Sequence, residues 1–493
     1  MVPTKDFVLK SLLQKSFFPV QKKNREELPP IFNSESFTKD VAVELNKIAS
    51  RKGGYDQVEY KGTRFNNVHR VFSIPHPKPY AQLATFCSEH WDDINYICKN
   101  KNSLIVPKMH DDGRLVIMDY ESSWIKSRRK IRLSSNKKFV VHTDISNCFS
   151  SIYSHAIPWA LVGHSQAKKN KHLSKEWFNQ IDQSQQSSKR CETQGLAIGP
   201  ATSNILSEII LAKVDEELSA FNYVRFIDDY TCYCKTYEEC EKFIQCLSRA
   251  LNRYGLTLNI KKTSINKLPN PINADWITNL NLRNPVGDEV HWSQVISFLD
   301  YAVGLEKEVK EGSIIKYAVK TIHKRINQKH KKIFLEHLLY LAQHYPVIVP
   351  VISETLNSVL ANDPEYSCES TLLFLLSESI TNQRSDSVSW LLHYLIKHKR
   401  GINDELSGMI IENEDCVPIL MLSLMKEHEA NVVDFCNKVI DKKDNYEIDK
   451  YWLLLYQLFY QGKVANPYED QEDQKVFNKL KERKVDFIDL TKE

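Results

Sequence analysis

At 493 residues the chain is too long for one compact core, so two or three domains are expected. Its 42% apolar content is that of an ordinary globular protein, and a net charge of only +4 excludes a molecule that is polycationic as a whole. Eleven scattered cysteines with no Cys-x-x-Cys pair exclude a disulfide scaffold and a zinc ribbon, and fit a reducing cytoplasm.

In chain order, residues 1–50 read as helical, with Phe7, Leu9, Leu12, Leu13, Phe17 and Phe18 as a docking face, and Gly53-Gly54 marks a break. Met1 to Asp6 lack the apolar core of a signal peptide, and no apolar run reaches membrane-spanning length, so no membrane partner is expected. Lys126 to Lys138 carries seven basic residues and no acidic one, with Arg128, Arg129, Lys130 and Arg132 at its centre, a composition suited to phosphate backbones. It leads into the strand-like run Phe139-Val140-Val141-His142-Thr143-Asp144. Lys168, Lys169, Lys171 and Lys175 form a second basic cluster. Thr202 to Leu211 reads as an amphipathic helix. Tyr223 to Cys234 reads as a tight hairpin with Asp228 and Asp229 at its tip, and Cys232 and Cys234 share a face that suits a core. A third basic cluster, Lys316 to Lys332, has the spacing of one helix face. From about residue 300 apolar residues recur at helical spacing, as in Val388, Leu391, Leu392, Leu395 and Ile396, with Asp386 as the N-cap. The segments suggest paired helices stacked as a solenoid. The charged tail 469–493 keeps Val476, Phe477, Leu480, Val485 and Phe487, a pattern suited to docking on a neighbouring subunit or to fraying.

Adjacent carboxylates repel, so a rigid turn that carries two of them suits a cation. The plainer reading, a surface turn, fits the other two pairs: Asp92-Asp93 on a solvated helix face and Asp111-Asp112-Gly113 in a simple turn. Asp228-Asp229 differs because strands flank it and Asp144 ends a strand of its own. Two strand-borne carboxylate sites suit a two-metal phosphoryl or nucleotidyl transfer centre.

Four segments then occur in a telling order. Phe226-Ile227-Asp228-Asp229 resembles the Tyr-x-Asp-Asp box of reverse transcriptases. Asp144-Ile145-Ser146-Asn147-Cys148-Phe149 resembles their first palm motif. Gly195 to Asn204 resembles the second, and Gly255 to Thr263 the Gly-Leu-x-Leu-Asn-x-x-Lys-Thr box. With Ser151 to Ala160 and the long helical C-terminal half, the chain resembles the bacterial abortive-infection and defence-associated reverse transcriptases.

The resemblance implies an α+β right-hand polymerase followed by an all-α, HEAT-like repeat domain. The segments would be an N-terminal helical part (1–50), fingers (51–139), palm (140–268), a thumb-like connection (269–310) and the helical repeat (311–493). It implies an RNA-directed DNA polymerase of the bacterial cytoplasm that adds dNMP from dNTP in antiphage defence. Asp144, Asp228 and Asp229, with the Ile145 backbone, would hold two Mg²⁺ ions, with Mn²⁺ as a substitute. Phe149 would exclude a 2′-hydroxyl, Gly199 would let backbone approach the nucleotide or template, and Lys262 and Arg70 (or Arg64) would meet the triphosphate. The template would be RNA, including a dedicated non-coding RNA. Synthesis with little or no template, primed from a protein hydroxyl and leaving DNA attached to protein, stays open, and a homo-oligomer is expected. The loop reads Leu-Ala-Ile-Gly where the family has Leu-Pro-Gln-Gly, which puts ordinary templated copying in question. The alternatives are a group II intron or retron-type reverse transcriptase, an RNA-synthesising palm polymerase, and a palm scaffold that acts through its helical repeat.

Overall fold

The computed structural model describes residues 2–19, 22–64, 68–118, 121–309 and 313–492. The expected boundary at 310/311 lies outside them. The centre of the fold is a four-stranded antiparallel sheet built from β3 (Phe139–Asp144), β4 (Tyr223–Phe226), β5 (Asp229–Cys234) and β6 (Ser264–Lys267), in the order β4-β5-β3-β6. A separate hairpin pairs β1 (Gln57–Gly62) with β2 (Arg70–Pro75).

Alternation gives the central sheet two different faces. One face carries Val141, Cys232 and Cys234, all buried. The Sγ atoms of Cys232 and Cys234 lie 3.7 Å apart, and the helix Tyr237–Asn252 packs against β3 and β5. That helix buries Cys240, Phe243, Leu247, Ala250 and Leu251 at i, i+3, i+4 spacing, and Thr236 caps it by accepting from the Glu239 N–H. The other face carries Asp144, His142 and Val140 on β3, beside Asp229, Thr231 and Tyr233 on β5. The helix Ala201–Glu217, buried on nearly every side, backs the β4 edge through Arg225.

Beyond Ile314 the chain is helical to Glu482. The helix Glu369–Thr381 packs on Ser385–Lys397, which packs on Cys416–Leu422, which packs on Trp452–Tyr460. This row folds back on the N-terminal third. Asp386 is not an N-cap: the helix begins at Ser385, and the Asp386 carboxylate instead accepts from Thr63 N–H and Oγ1, both at 2.7 Å. The sequence signal of an acid near a helix start was real, but the acid closes the end of β1. The tail corrects a second expectation. Val476, Phe477, Leu480, Val485 and Phe487 are buried within this chain, and Phe487 stacks on Phe17 at 5.6 Å.

The third basic cluster does not form one stripe. Lys316 and Lys320 both pair with Glu26, and the helix ends at Ile322. Arg325 then holds the 284–287 loop, and Lys332 pairs with Asp363. These lysines and arginines are occupied with intramolecular partners.

Candidate active site

The carboxylates come together through backbone pairing. Asp144 is the last residue of β3 and stands opposite Asp229, the first residue of β5. The Ile145 N–H donates to the Asp228 carbonyl at 3.2 Å, which locks the turn to the end of β3. Ile227 sits at φ 58°, a left-handed conformation that a β-branched residue adopts only under constraint. The constraint is Arg225. Its guanidinium is fully buried and donates to the Ile227 carbonyl at 2.7 Å. It also forms a two-pronged pair with Glu208 (2.7 and 3.0 Å) and bonds Asp215 at 2.8 Å. Sequence reading missed Arg225 because nothing in its local pattern distinguishes a buried arginine from a strand-edge one.

The site is electrostatically crowded. Burial, then Asp144, pushes the Asp228 carboxyl above its ordinary value, while Lys262 and Arg70 oppose the shift. Burial in the cleft, then Asp228 and Asp144, pushes Asp229 up to about 6, although the residue as a whole is open to solvent. One Asp144 oxygen pairs with Lys262 Nζ at 2.5 Å, and the other is buried with no hydrogen-bond partner. Among the described residues no three His, Cys, Asp or Glu side chains form a ready-made metal cage. The donor set nonetheless suits a divalent cation: an orphaned buried carboxylate oxygen, two further carboxylates held against repulsion, and a lysine standing in as the positive charge. The pairing of residues 144–146 with 257–259 uses the Asp144 and Thr257 carbonyls, which leaves the Ile145 carbonyl outside that ladder.

The other expected residues divide. Phe149 is half-buried beside the site, its carbonyl accepting from Leu196 N–H at 2.8 Å. Gly199 has φ 140°, and a Cβ there would stand 2.7 Å from Pro19 Cβ and 3.1 Å from the Ser73 carbonyl. In the direction of the missing Cβ its close approach is to this chain's own N-terminal segment and β2. Arg64 and Arg70 line a cavity of about 590 Å³ with Asp228 and Asp229. Lys22, Lys316 and Asp386 line it too, so segments far from the palm in sequence complete the cleft. The hydrophobic pattern could not reveal them, because only the folding-back of the helical half brings them there.

The basic helix Ser123–Ser134 buries none of its side chains. Arg129 pairs with Glu121, Arg128 lies 5.3 Å over the Trp124 ring and Arg132 is exposed. Of these four, Lys130 lines a groove of about 950 Å³, and it donates to the Ile272 carbonyl at 2.5 Å. Lys126, Lys137, His142 and Tyr233 also line the groove, so it lies on the sheet face that carries Asp144 and Asp229.

Residues 87–301 match the family described as reverse transcriptase (RNA-dependent DNA polymerase). No curated protein matches the chain. Among solved structures, the apo telomerase from Candida Tropicalis truncated from its C-terminal domain is similar at 12% identity and a TM-score of 0.32, with 47% of this chain covering 55% of that one. Telomerase from Candida Tropicalis in complex with the TWJ fragment of telomeric RNA is similar at 10% identity and a TM-score of 0.35, with 80% of this chain covering 70% of that one. No helix among the described residues is long and apolar enough to cross a membrane. The family match takes in all four strands of the central sheet and the three clustered aspartates, so residues 87–301 form a domain of reverse transcriptase type, which indicates RNA-directed DNA polymerase, a nucleotidyltransferase chemistry.

Proposed function

We propose that the chain adds dNMP from dNTP to a growing DNA strand, with Asp144, Asp228, Asp229 and the Ile145 carbonyl as the holders of two Mg²⁺ ions. The observation that carries this is the register pairing of Asp144 with Asp229 beside an orphaned Asp144 oxygen. When bound, the divalent ions would supply Lewis-acid charge at the attacking oxygen and at the leaving pyrophosphate; Mn²⁺ has similar chemistry. The residues do the rest. Lys262 leaves Asp144 and turns its ammonium to the phosphates. Arg70 and Arg64, across the cleft from the aspartates, meet the triphosphate. Phe149 closes the space that a 2′-hydroxyl needs. Lys126, Lys130 and Lys137 track strand phosphates along the open sheet face.

On this reading the template is an RNA, including a dedicated non-coding RNA, and the biological role is antiphage defence by abortive infection. The row of C-terminal helices acts as a HEAT-like repeat that walls the cleft and offers an assembly surface for a homo-oligomer. Incubating the purified chain with Mg²⁺ and the four dNTPs, with and without RNase, tests the template. Protease treatment before a denaturing gel separates free DNA from DNA attached to protein. RNase-sensitive product that ignores protease is expected; product that survives RNase would replace the templated reading with protein-primed synthesis. Phage plating with Asp228→Ala tests the role: unimpaired protection would remove catalysis from it.

A further inference from the structure

The segment Ser151 to Ala160 takes no part in the carboxylate site, yet it begins a row of rings. Tyr153 and His155 meet edge to face with centroids 4.9 Å apart. Tyr153 and Trp159 lie 5.7 Å apart, and Trp159 and His164 4.8 Å apart. The first three rings are half-buried and His164 is exposed. A polar network fixes the row from behind. The Asp182 carboxylate, 4% exposed, bonds His155 Nδ1 at 2.5 Å, and Gln186 donates to Asp182 at 2.7 Å and to Ser154 Oγ at 3.0 Å. The bond to Asp182 also holds the His155 imidazole above its ordinary pKa, which favours a cation there.

The charge around the rings has one sign. From Ser154 to Lys175 there is no Asp or Glu. Lys168, Lys169, Lys171 and Lys175 are all exposed, and none makes an ion pair among the described residues. Lys316, Lys320, Arg325 and Lys332 of the third basic cluster are held by acidic and carbonyl partners, whereas these four lysines make no ion pair among the described residues.

The row is also joined to the polymerase site. Ser154 N–H donates to Thr193 O at 2.7 Å, Gly195 N–H to Ile152 O at 2.8 Å and Leu196 N–H to Phe149 O at 2.8 Å. This short pairing runs to Phe149 on one strand and into the loop ending at Gly199 on the other. Half-buried rings alone are ordinary packing. Rings that step outward to an exposed His164, rimmed by open lysines and anchored beside the nucleotide cleft, combine base-stacking faces with phosphate partners.

We propose that Tyr153, His155, Trp159 and His164, with the lysines at 168, 169 and 171, dock the unpaired RNA strand that feeds the active site. The strand's role as template rests on the polymerase reading; the binding itself does not. Bases lie against the rings and the lysines meet the phosphates between them. Anisotropy of a labelled single-stranded RNA, measured on the full chain without nucleotides, tests this. Tyr153→Leu with His164→Ala is expected to weaken binding about 10-fold or more. Replacing Lys168, Lys169 and Lys171 by Ser is expected to lower the slope of log affinity against log salt by about 2. Ultraviolet cross-linking of the unaltered protein to a thiouridine-substituted RNA, mapped by peptide, is expected to label 153–164 whatever the variants' stability. Parent-like binding by both variants, cross-links confined elsewhere, or single-stranded DNA that outcompetes RNA would each overturn the proposal. The Asp228→Ala, Asp229→Ala protein should bind RNA like the parent. A failed incorporation assay therefore leaves this surface standing, and a failed binding assay leaves the carboxylate reading standing.

Discussion

Three carboxylates, one lysine and one buried arginine set what the site can do. Asp229 is displaced upward from 3.8 to about 6, so the metal-free folded protein holds a proton there that the unfolded chain has already released. Stability of the metal-free protein therefore falls as pH rises from about 4 through about 6, where the native state gives up that proton. Divalent-ion binding needs the ionised form, so Mn²⁺ should bind more tightly at pH 7 than at pH 5 in a calorimetric titration; equal affinities would deny Asp229 a part in the site. Arg225 gives a second expectation. Arg225→Met removes the cation between Glu208 and Asp215 and should cost about 3–5 kcal/mol in urea unfolding. It also frees the Ile227 carbonyl, so Mn²⁺ affinity should fall about 10–100-fold in the folded fraction. A loss of stability with unchanged metal affinity would leave Arg225 a purely structural role.

At the scale of elements, the hairpin β4–β5 was legible in the sequence because β-favouring residues flank an acidic tip, and strand β3 because an apolar run ends in Asp144. The same reasoning reached Gly199 but not its neighbours: a glycine in a loop signals close approach without saying to what, and here Pro19 and Ser73 fill the space. The role of Phe149 at the sugar pocket is what the resemblance implies. If it closes the sugar pocket, Phe149→Ala should raise the use of ribonucleotides relative to deoxynucleotides by about 10-fold or more, read as competing kcat/KM values. An unchanged ratio would assign Phe149 to packing. The basic clusters show the limit of composition. Lys316 and Lys320 sit in a run of positive charge like Lys168 and Lys169, but only the fold reveals that Glu26 neutralises the first pair.

Across the whole molecule, the helical half was legible as helices but not as a wall of the cleft. Periodicity marks which residues of a helix are buried, not which distant strand buries them. Asp386 carries this point, since its carboxylate closes β1 through Thr63 some 320 positions away in sequence. Asp386→Ala leaves the Thr63 donors without that acceptor and should destabilise the protein by about 1–3 kcal/mol in thermal or urea unfolding. A neutral outcome would mean that the other contacts between the halves, such as Lys316 with Glu26, Arg51 with Asp473 and Phe17 on Phe487, hold the helical half without Asp386.

The most direct test of the account is dNTP incorporation on a defined RNA template by the parent chain and by the Asp144→Asn and Asp228→Ala variants, in Mg²⁺ and in chelator. The account predicts DNA complementary to the RNA from the parent in Mg²⁺, and background synthesis from both variants and in chelator. Complementary DNA made equally well by folded Asp144→Asn or Asp228→Ala protein would contradict it.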